Sequence, residues 1–302
     1  MITRDAAAFA AYARGLPANF GPACAKAAFL VMPEGFALAE QSASDNAYMD
    51  LGAAVDPLRA LEQHRGLQRA LSASVPTVAF PGDPTMPDGL FPNNVFATAP
   101  GRLVIGHMRH PVRQREAGRT DIRGFFSAMG YVEVDLRHQP GICELTGALV
   151  IDRARGVGYC GLSERCDSVG AAAMYAAFGL RGLLMFDLAP GEYHTNVVMS
   201  VLAGRAVVIC PAGFADPAVA DGIASVYAPH VVALSPGQKA LFAGNGLALS
   251  PDRVWMSESG ASSLDPVQRG LLENAGFALG RVVLDEIEKA GGSLRCCVAE
   301  IY

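Results

Sequence analysis

The sequence predicts an α/β protein made of five similar units of strand, strand, helix and strand, arranged in a ring around a central axis. A pair of β-rich runs joined by a tight turn recurs around Val104, Val157, Val207 and Val254, at steps of about 50 residues. A helical segment that ends at a glycine follows three of these pairs. Repetition at a nearly constant step indicates that one supersecondary unit is used several times.

Each β-rich pair has the composition of a β-hairpin, as in VFATAPGRLVIGHM around Val104. The helices that follow are expected to end at Gly130, Gly179 and Gly276, because glycine readily adopts the left-handed conformation that terminates a helix. A further strand comes next each time, in YVEVDL, LRGLLMFDL and ALGRVVLDEI. These elements define the repeating unit.

A fifth, degenerate unit is predicted near the start of the chain, from AAFLVMPEGF through a helix near residues 61–71 to VPTVAF. Because five units account for nearly the whole sequence, we expect a single catalytic domain over residues 1–302, with residues 1–26 as an N-terminal helical extension. A ring would bring the strand ends to one central cavity, where we expect the active site. An open stack of repeats without such a cavity is the alternative.

The composition is that of a folded globular protein, with 51% hydrophobic and 18% charged residues. A formal net charge of -5 and the lack of a basic, aromatic-rich stretch argue against a nucleic-acid partner. No apolar run approaches the roughly 20 residues that a membrane span needs. Arg4 and Asp5 make the N-terminus unlike a secretion signal. We therefore expect a soluble protein whose partner is a small molecule.

The seven cysteines are odd in number and form no CxxC pair. Free thiols in a reducing cytoplasm are the simplest explanation, so the protein is expected to be cytoplasmic. Neither a metal site nor a cofactor is predicted. The oligomeric state is left open, with a homodimer as one alternative.

The stretch EKAGGSLRCCVAEIY at 288–302 contains the candidate nucleophile. Two glycines and a serine precede Arg295 and Cys296, and such glycines let the backbone approach a ligand closely at the edge of a cavity. A thiol that acts near neutral pH needs a lowered pKa, from a nearby histidine or cationic group. Arg295 is adjacent, but successive strand residues point to opposite faces, so it need not be that group.

Two further candidates lie at the entrances of hairpins. His194, in GEYHTNVVMSVL, opens the fourth hairpin, and Glu144, in GICELTGALVIDR, occupies the equivalent place before the third. Alone, such a histidine is more often packed or capping, and such a glutamate is usually solvated. Together with Cys296, however, they form a nucleophile, a proton carrier and an orienting carboxylate at corresponding positions of different units, which rotational pseudosymmetry would bring to one axis.

Six short motifs follow one another along the chain: PDGLFPNNVF at 87–96, MRHPVRQRE at 108–116, ELTGALVIDR at 144–153, GLSER at 161–165, HTNVVM at 194–199 and GGSLRC at 291–296. In these motifs, and from about Ala27 to Tyr302, the chain resembles the pentein (guanidine-modifying) superfamily of arginine deiminases, dimethylargininases and amidinotransferases. Within it, the chain is most similar to small bacterial arginine-deiminase-related citrulline hydrolases. The resemblance implies a five-bladed α/β propeller, the pentein fold.

The resemblance also implies roles for individual residues. Cys296 would be the nucleophile, His194 the general acid and base, and Glu144 the carboxylate that holds the substrate or the histidine. Arg165 and Arg113 match arginines that pair with the substrate's α-carboxylate, a role that suits the two-pronged guanidinium. Cys297 is shared by some dimethylargininases, and its role is left open.

The chain departs from arginine deiminases where their carboxylates grip a guanidinium. The matching positions are Asn94, Asn196 and Gly147, none of them acidic. A buried cation needs a compensating charge, whereas a neutral ureido group needs a donor and an acceptor, which an amide supplies. We therefore expect the substrate to be citrulline or an N-substituted relative, giving ornithine, with Asn94 and Asn196 in the binding site. The alternative is that other carboxylates, such as Asp88, replace the missing ones.

The sequence thus predicts a metal-free hydrolase of linear C–N bonds. Arginine deiminase, dimethylargininase and amidinotransferase activities are the enzymatic alternatives. A non-catalytic binding protein with the pentein fold is the alternative outside enzymes.

Overall fold

The computed structural model describes residues 1–302, and its secondary structure follows the predicted repeat. In chain order the strands are β1 (Ile2–Thr3), β2 (Ala27–Val31), β3 (Thr77–Phe80), β4 (Phe96–Ala99), β5 (Arg102–Ile105), β6 (Val132–Asp135), β7 (Leu149–Asp152), β8 (Val157–Leu162), β9 (Gly182–Asp187), β10 (Met199–Leu202), β11 (Ala206–Ile209), β12 (Val231–Ala233), β13 (Leu247–Ser250), β14 (Arg253–Ser257), β15 (Ala278–Val282) and β16 (Ala299–Ile301). The α-helices are α1 (Ala6–Arg14), α2 (Glu40–Ala43), α3 (Pro57–Leu71), α4 (Pro111–Gln114), α5 (Thr120–Ala128), α6 (Leu145–Ala148), α7 (Ser168–Phe178), α8 (Thr195–Val198), α9 (Pro217–Tyr227), α10 (Pro236–Ala240), α11 (Glu258–Ser263), α12 (Pro266–Asn274) and α13 (Asp285–Glu288).

The strands form five small sheets with one shared topology. Their orders are β16-β2-β3, β4-β5-β6, β7-β8-β9, β10-β11-β12 and β13-β14-β15, and β1 is added beside β9. In each sheet the first strand is antiparallel to the second, and the second is parallel to the third. Because parallel neighbours need a crossover, a helix separates the second strand from the third: α3, α5, α7, α9 or α12.

The first strand of each sheet faces its counterparts in neighbouring sheets. Contacts join β16 to β4, β7 to β10 and β10 to β13, so these first strands are the inner strands of the molecule. One sheet combines distant parts of the chain, because β16 pairs with β2 and Ala299 lies opposite Phe29. The degenerate unit predicted near the start of the chain is therefore completed by a strand from the opposite end.

The predicted hairpins and helix ends are confirmed. Each hairpin prediction coincides with an antiparallel pair, from β4 and β5 to β13 and β14. Gly130, Gly179 and Gly276 have φ angles of 80°, 63° and 83°, the left-handed conformation that ends α5, α7 and α12. The fourth unit has no such glycine, since α9 ends at Tyr227, two residues before Pro229.

Residues near the N-terminus lie against the third and fourth sheets. Strand β1 runs parallel to β9, with Ile2 opposite Leu183. Helix α1 begins after Asp5, whose side chain accepts a hydrogen bond from the N–H of Ala8, and it packs on α9 and β9. Phe9 is buried on this helix and meets the ring of Tyr159 edge-on.

The apolar side chains pack in five large clusters, where helices cover the sheets and neighbouring sheets meet. The short segments that lead into the inner strands are therefore anchored to a well-packed core. None of the helices combines the length and the apolar character that crossing a bilayer requires.

Candidate active site

Five equivalent positions lie just before the inner strands. Asn94, Gly147, Asn196, Asn245 and Cys296 each come two or three residues before β4, β7, β10, β13 and β16, and we call them the ring residues. Hydrogen bonds link consecutive units here. Asn245 Nδ2 donates to the backbone oxygen of Asn196 over 2.8 Å, and Asn196 Nδ2 donates to that of Thr146 over 3.2 Å. Side chains from separate units thus converge on one end of the ring.

Cys296 lies in a turn in which its N–H donates to the backbone oxygen of Ser293. Its side chain is buried, with Sγ 3.5 Å from Nδ2 of Asn245 and 4.0 Å from Oδ1 of Asn196. Burial raises the pKa of the Cys296 thiol, against smaller opposing effects. This direction is opposite to the lowered pKa that the sequence analysis expected of an acting thiol. The Arg295 guanidinium is not the missing cationic partner, since it contacts Glu300 and the oxygen of Val298.

Cys297 has different surroundings from its neighbour. It is fully buried in an apolar cluster with Leu294 and Val298, and burial raises its pKa well above the ordinary value. No hydrogen-bonding amide is within reach of its sulfur. Its environment is that of a small apolar core residue.

His194 and Glu144 are fully buried and contact each other. His194 Nε2 lies 2.9 Å from Oε2 of Glu144. Burial alone would raise the pKa of Glu144, but Arg165 and His194 hold it well below the ordinary value. Burial lowers the pKa of His194, although the Glu144 carboxylate opposes this. An ionised Glu144 fixes the proton on Nε2, which leaves Nδ1 as an acceptor without a protein partner.

Gly147 has no side chain, which leaves a space beside the imidazole ring of His194. A Cβ atom at this position would lie 2.7 Å from Oδ1 of Asn94 and 2.8 Å from Nδ1 of His194. Neither of these two atoms has a hydrogen-bond partner. Two buried acceptors therefore face one narrow space, which suits a group that donates two hydrogen bonds.

A cavity of about 280 Å³ lies in front of Cys296. Its polar lining consists of Ser42, Asn46, Asp88, Asn94, Arg113, Arg165 and Tyr193, with Cys296 and Gly291. Most of the residues predicted for the site thus share one cavity. Glu144 and His194 lie behind this lining, where Arg165 contacts Glu144 and the Gly147 space separates His194 from Asn94.

The guanidinium of Arg165 contacts oxygen atoms of three other residues. Its Nε lies 2.8 Å from Oδ1 of Asp45, its Nη2 lies 2.7 Å from the oxygen of Ser42, and its Nη1 lies 3.4 Å from Oε2 of Glu144. Asp45 also contacts Arg109 and His110. The Asp45 carboxylate thus binds the Arg165 guanidinium, which the sequence analysis expected to bind the substrate's α-carboxylate.

Arg113 and Asp88 are also buried and engaged. Arg113 binds both oxygens of Glu116 over 2.8 Å and the oxygen of Phe91 over 2.9 Å. Asp88 accepts a hydrogen bond from Ser42 Oγ over 2.5 Å, and burial raises its pKa. Arg113 therefore presents only part of its guanidinium to the cavity.

Residues 40–48, which we call the covering segment, lie over the cavity and contact residues on several sides of it. Ser42 contacts Asp88, Asp45 contacts Arg165, and Asn46 Nδ2 lies 3.4 Å from the oxygen of Gly291. At its end, Tyr48 donates to Glu192 over 2.7 Å. The covering segment thus supplies Ser42 and Asn46 to the cavity lining.

Sequence reasoning missed Asn245 and Asp45, as well as Ser42, Asn46 and Tyr193 of the cavity lining. Asn245 could have been found from the repeat, since it continues the regular spacing of Asn94, Gly147, Asn196 and Cys296. Asp45 left no such signal, because it lies in an irregular segment outside the repeating strands.

Two other features bear on the chemistry. No group of three or more His, Cys, Asp and Glu side chains is arranged to hold a metal ion. A second cavity, of about 550 Å³, runs along the inner strands beside Ser200, Arg295 and Glu300. Its lining contains neither Cys296 nor His194, so it is distinct from the cavity described above.

Comparison with known proteins agrees with this architecture. The family model described as N,N dimethylarginine dimethylhydrolase, eukaryotic, matches residues 32–302. No curated protein is significantly similar in sequence. The N-terminal domain of ArgZ, an arginine dihydrolase from the ornithine-ammonia cycle in cyanobacteria, has a TM-score of 0.79 at 19% identity, over 91% of this chain and 97% of that domain.

Two further solved structures have the same fold. Unliganded AgrE gives a TM-score of 0.78 at 21% identity, over 91% of this chain and 39% of AgrE. A DDAH variant from Pseudomonas aeruginosa, complexed with citrulline, gives 0.72 at 19% identity, over 92% of this chain and 100% of that one. The predicted fold class, an α/β pentein propeller with five small sheets, is confirmed.

Proposed function

This chain belongs to the N,N-dimethylarginine dimethylhydrolase family of the pentein superfamily, and on that premise we propose that it hydrolyses a terminal C–N bond of an arginine-like amino acid through Cys296. The favoured substrate is citrulline or an N-substituted relative, and the amino-acid product is ornithine. The observation that carries the proposal is a buried thiol and the neutral amide of Asn94 in the lining of one small cavity, with the His194–Glu144 pair directly behind that lining.

The reaction would begin with loss of the Cys296 proton to His194 Nδ1, the acceptor that Glu144 leaves free. No hydrogen bond joins the two side chains, so a water molecule or the substrate would relay this proton. The thiolate attacks the ureido carbon and gives a tetrahedral adduct. His194 then returns a proton to the departing nitrogen, the C–N bond breaks, and ornithine leaves a carbamoyl thioester on Cys296.

The second half of the reaction would use the same groups. A water molecule gives a proton to His194 and attacks the thioester carbon. The C–S bond breaks, the sulfur regains a proton, and carbamic acid is released. Burial raises the pKa of the Cys296 thiol, so attack depends on a group that takes its proton.

The charges of the site support a neutral ureido group over a guanidinium. Asn94, Asn196 and Asn245 are uncharged, and Gly147 has no side chain. A guanidinium would find no carboxylate at any ring residue, so the compensating charge for its burial would have to come from Asp88, the one carboxylate in the cavity lining. An amide, in contrast, can donate to the ureido oxygen and accept from its nitrogen.

Hydrolysis of a cationic substrate, as by an arginine deiminase or a dimethylargininase, is the second candidate. Asp88 favours it, because this carboxylate lines the cavity with Cys296. The description of the matched family also names dimethylarginine, and ArgZ, which has a similar fold, is an arginine dihydrolase. Against it, Asp88 already accepts a hydrogen bond from Ser42, and its burial raises its pKa.

One experiment separates these candidates. The purified protein is incubated with citrulline, arginine or asymmetric dimethylarginine in turn, and ornithine, citrulline, ammonia and dimethylamine are quantified. We expect ornithine from citrulline. Citrulline formed from arginine or dimethylarginine would favour the second candidate, and no turnover of any of the three would favour a binding protein.

Matched variants test the nucleophile. Cys296→Ala should abolish turnover, whereas Cys297→Ala, a neighbouring cysteine in an apolar environment, should keep it. Mass spectrometry of protein quenched during turnover should find a carbamoyl adduct on the peptide that contains Cys296. Full activity of Cys296→Ala would refute the mechanism.

A further inference from the structure

Asn245 is the ring residue that precedes Cys296 in the order of the units. It lies in the segment before β13, whereas Cys296 lies before β16, and the two are 51 residues apart. Asn245 is almost completely buried. A buried amide is expected to satisfy its hydrogen-bonding groups, so the partners that it uses indicate what it is there to do.

The two ends of the Asn245 amide hold the nucleophile from two sides. Its Oδ1 accepts a hydrogen bond of 2.9 Å from the backbone N–H of Arg295, the residue directly before Cys296. Its Nδ2 is anchored over 2.8 Å to the backbone oxygen of Asn196 and lies 3.5 Å from Sγ of Cys296. One side chain therefore contacts both the turn that carries the thiol and the sulfur atom itself.

The same amide matches both protonation states of the sulfur. In the thiol form, the S–H can point to Oδ1 of Asn245, 3.8 Å from Sγ. In the thiolate form, the sulfur can accept from Nδ2. The cationic side chains of the site are directed elsewhere: Arg295 binds Glu300, Arg113 binds Glu116 and Arg165 binds Asp45.

We propose that Asn245 is a positioning residue that holds Cys296 for attack and supplies the hydrogen bond that stabilises its thiolate. The inference rests on the proposed function for its consequence in catalysis. The interaction itself can be measured without any substrate, because a thiolate reacts with alkylating agents and a thiol does not.

Asn245→Asp is the decisive variant, because it keeps the oxygen that accepts from Arg295 but removes the Nδ2 donor and adds negative charge beside the sulfur. Asn274→Asp is the matched control, since it introduces the same charge at an exposed position at the end of α12. Alkylation of Cys296 by iodoacetamide is followed from pH 6 to 10 by peptide mass spectrometry, which separates Cys296 from the other cysteines. Circular dichroism and thermal unfolding confirm that each variant is folded.

We expect the alkylation rate of Cys296 at pH 8 to fall at least tenfold in Asn245→Asp, with its pH midpoint raised by at least one unit. The Asn274→Asp control should follow the wild-type curve. Asn245→Leu removes the donor without adding charge, so it separates the lost hydrogen bond from the repulsion by the new carboxylate, and its midpoint should also rise. An Asn245→Leu midpoint equal to wild type, in a folded protein, would overturn the proposal, because a purely structural asparagine would leave the sulfur's titration unchanged.

Turnover distinguishes this inference from the proposed function. A raised midpoint together with a loss of citrulline hydrolysis supports both. A raised midpoint in a protein whose wild type hydrolyses none of the candidate substrates supports the role of Asn245 and refutes the proposed activity.

Discussion

His194 Nε2 and Glu144 Oε2 lie 2.9 Å apart in the interior of the molecule, although the two residues are 50 positions apart in the sequence. This contact fixes the tautomer of the imidazole, so that Nδ1 is the nitrogen available for proton transfer. The third and fourth units each contribute one partner, because each residue lies just before the inner strand of its own unit.

Replacing Glu144 by glutamine should lower kcat for citrulline by roughly 10²- to 10⁴-fold, because the neutral amide no longer fixes the imidazole or stabilises its cation. The fold should persist, since glutamine has nearly the same size. Steady-state kinetics and thermal unfolding measure the two effects. Glu258→Gln, at an exposed position, is the control and should retain wild-type activity. A kcat within a few-fold of wild type for Glu144→Gln would mean that the pair is not used in catalysis.

Gly147→Ala should reduce kcat/KM by about 10²-fold or more, because the new Cβ would overlap Oδ1 of Asn94 and the ring of His194 and displace one of them. Gly270→Ala is the matched control, since a Cβ there meets no atom within 4 Å in the middle of α12. That control should keep its activity and gain about 0.5–1 kcal/mol of stability. Equal activities for the two variants would show that the Gly147 space is not needed.

Arg165→Lys should lower kcat/KM for citrulline by about 10- to 100-fold, if its two-pronged guanidinium binds the substrate's α-carboxylate in place of Asp45. The test compares citrulline with N-butylurea, which has the ureido group but no α-carboxylate. The loss should be restricted to citrulline. An equal loss on both compounds would indicate that Arg165 acts through Glu144 or the covering segment instead.

His64, buried on α3 without hydrogen-bond partners for its ring nitrogens, should make the protein less stable in acid. Burial lowers its pKa from 6.5 to about 4. The unfolded chain therefore binds the proton more readily, and stability is lost as the pH falls from 6.5 towards 4, by about 3 kcal/mol. Urea unfolding at pH 7 and pH 4.5 measures this difference. His64→Leu should lose less stability than wild type over that interval, whereas His138→Leu, at an exposed site, should behave like wild type. Parallel curves for wild type and His64→Leu would contradict the assignment.

Much of the fold could be predicted from the sequence because the repeating unit is recognised from local sequence patterns. Hairpin composition and the glycines at Gly130, Gly179 and Gly276 depend on neighbouring residues, so they can be recognised without knowledge of the tertiary structure. The pairing of β16 with β2 has no local signal, and the predicted first unit was therefore incomplete.

The site was predictable where a residue occupies a repeated position and unpredictable where its contacts come from elsewhere. Cys296, His194 and Glu144 were found at the entrances of their units. The ion pairs of Arg165 with Asp45 and of Arg113 with Glu116 depend on which side chains the fold brings to the cavity. The raised pKa of the thiol has the same origin, because burial is a property of the whole assembly.

The pairing of β16 with β2 also bears on how the molecule matures during translation. The strands of three sheets emerge from the ribosome in uninterrupted succession, and a fourth adds only β1, but the remaining sheet must wait until its last strand has been made. Cys296 lies on the short stretch that leads into that strand, so synthesis of the strand that completes this sheet also supplies the sulfur. A growing polypeptide therefore contains Cys296 only when most of the residues around its cavity have already been made.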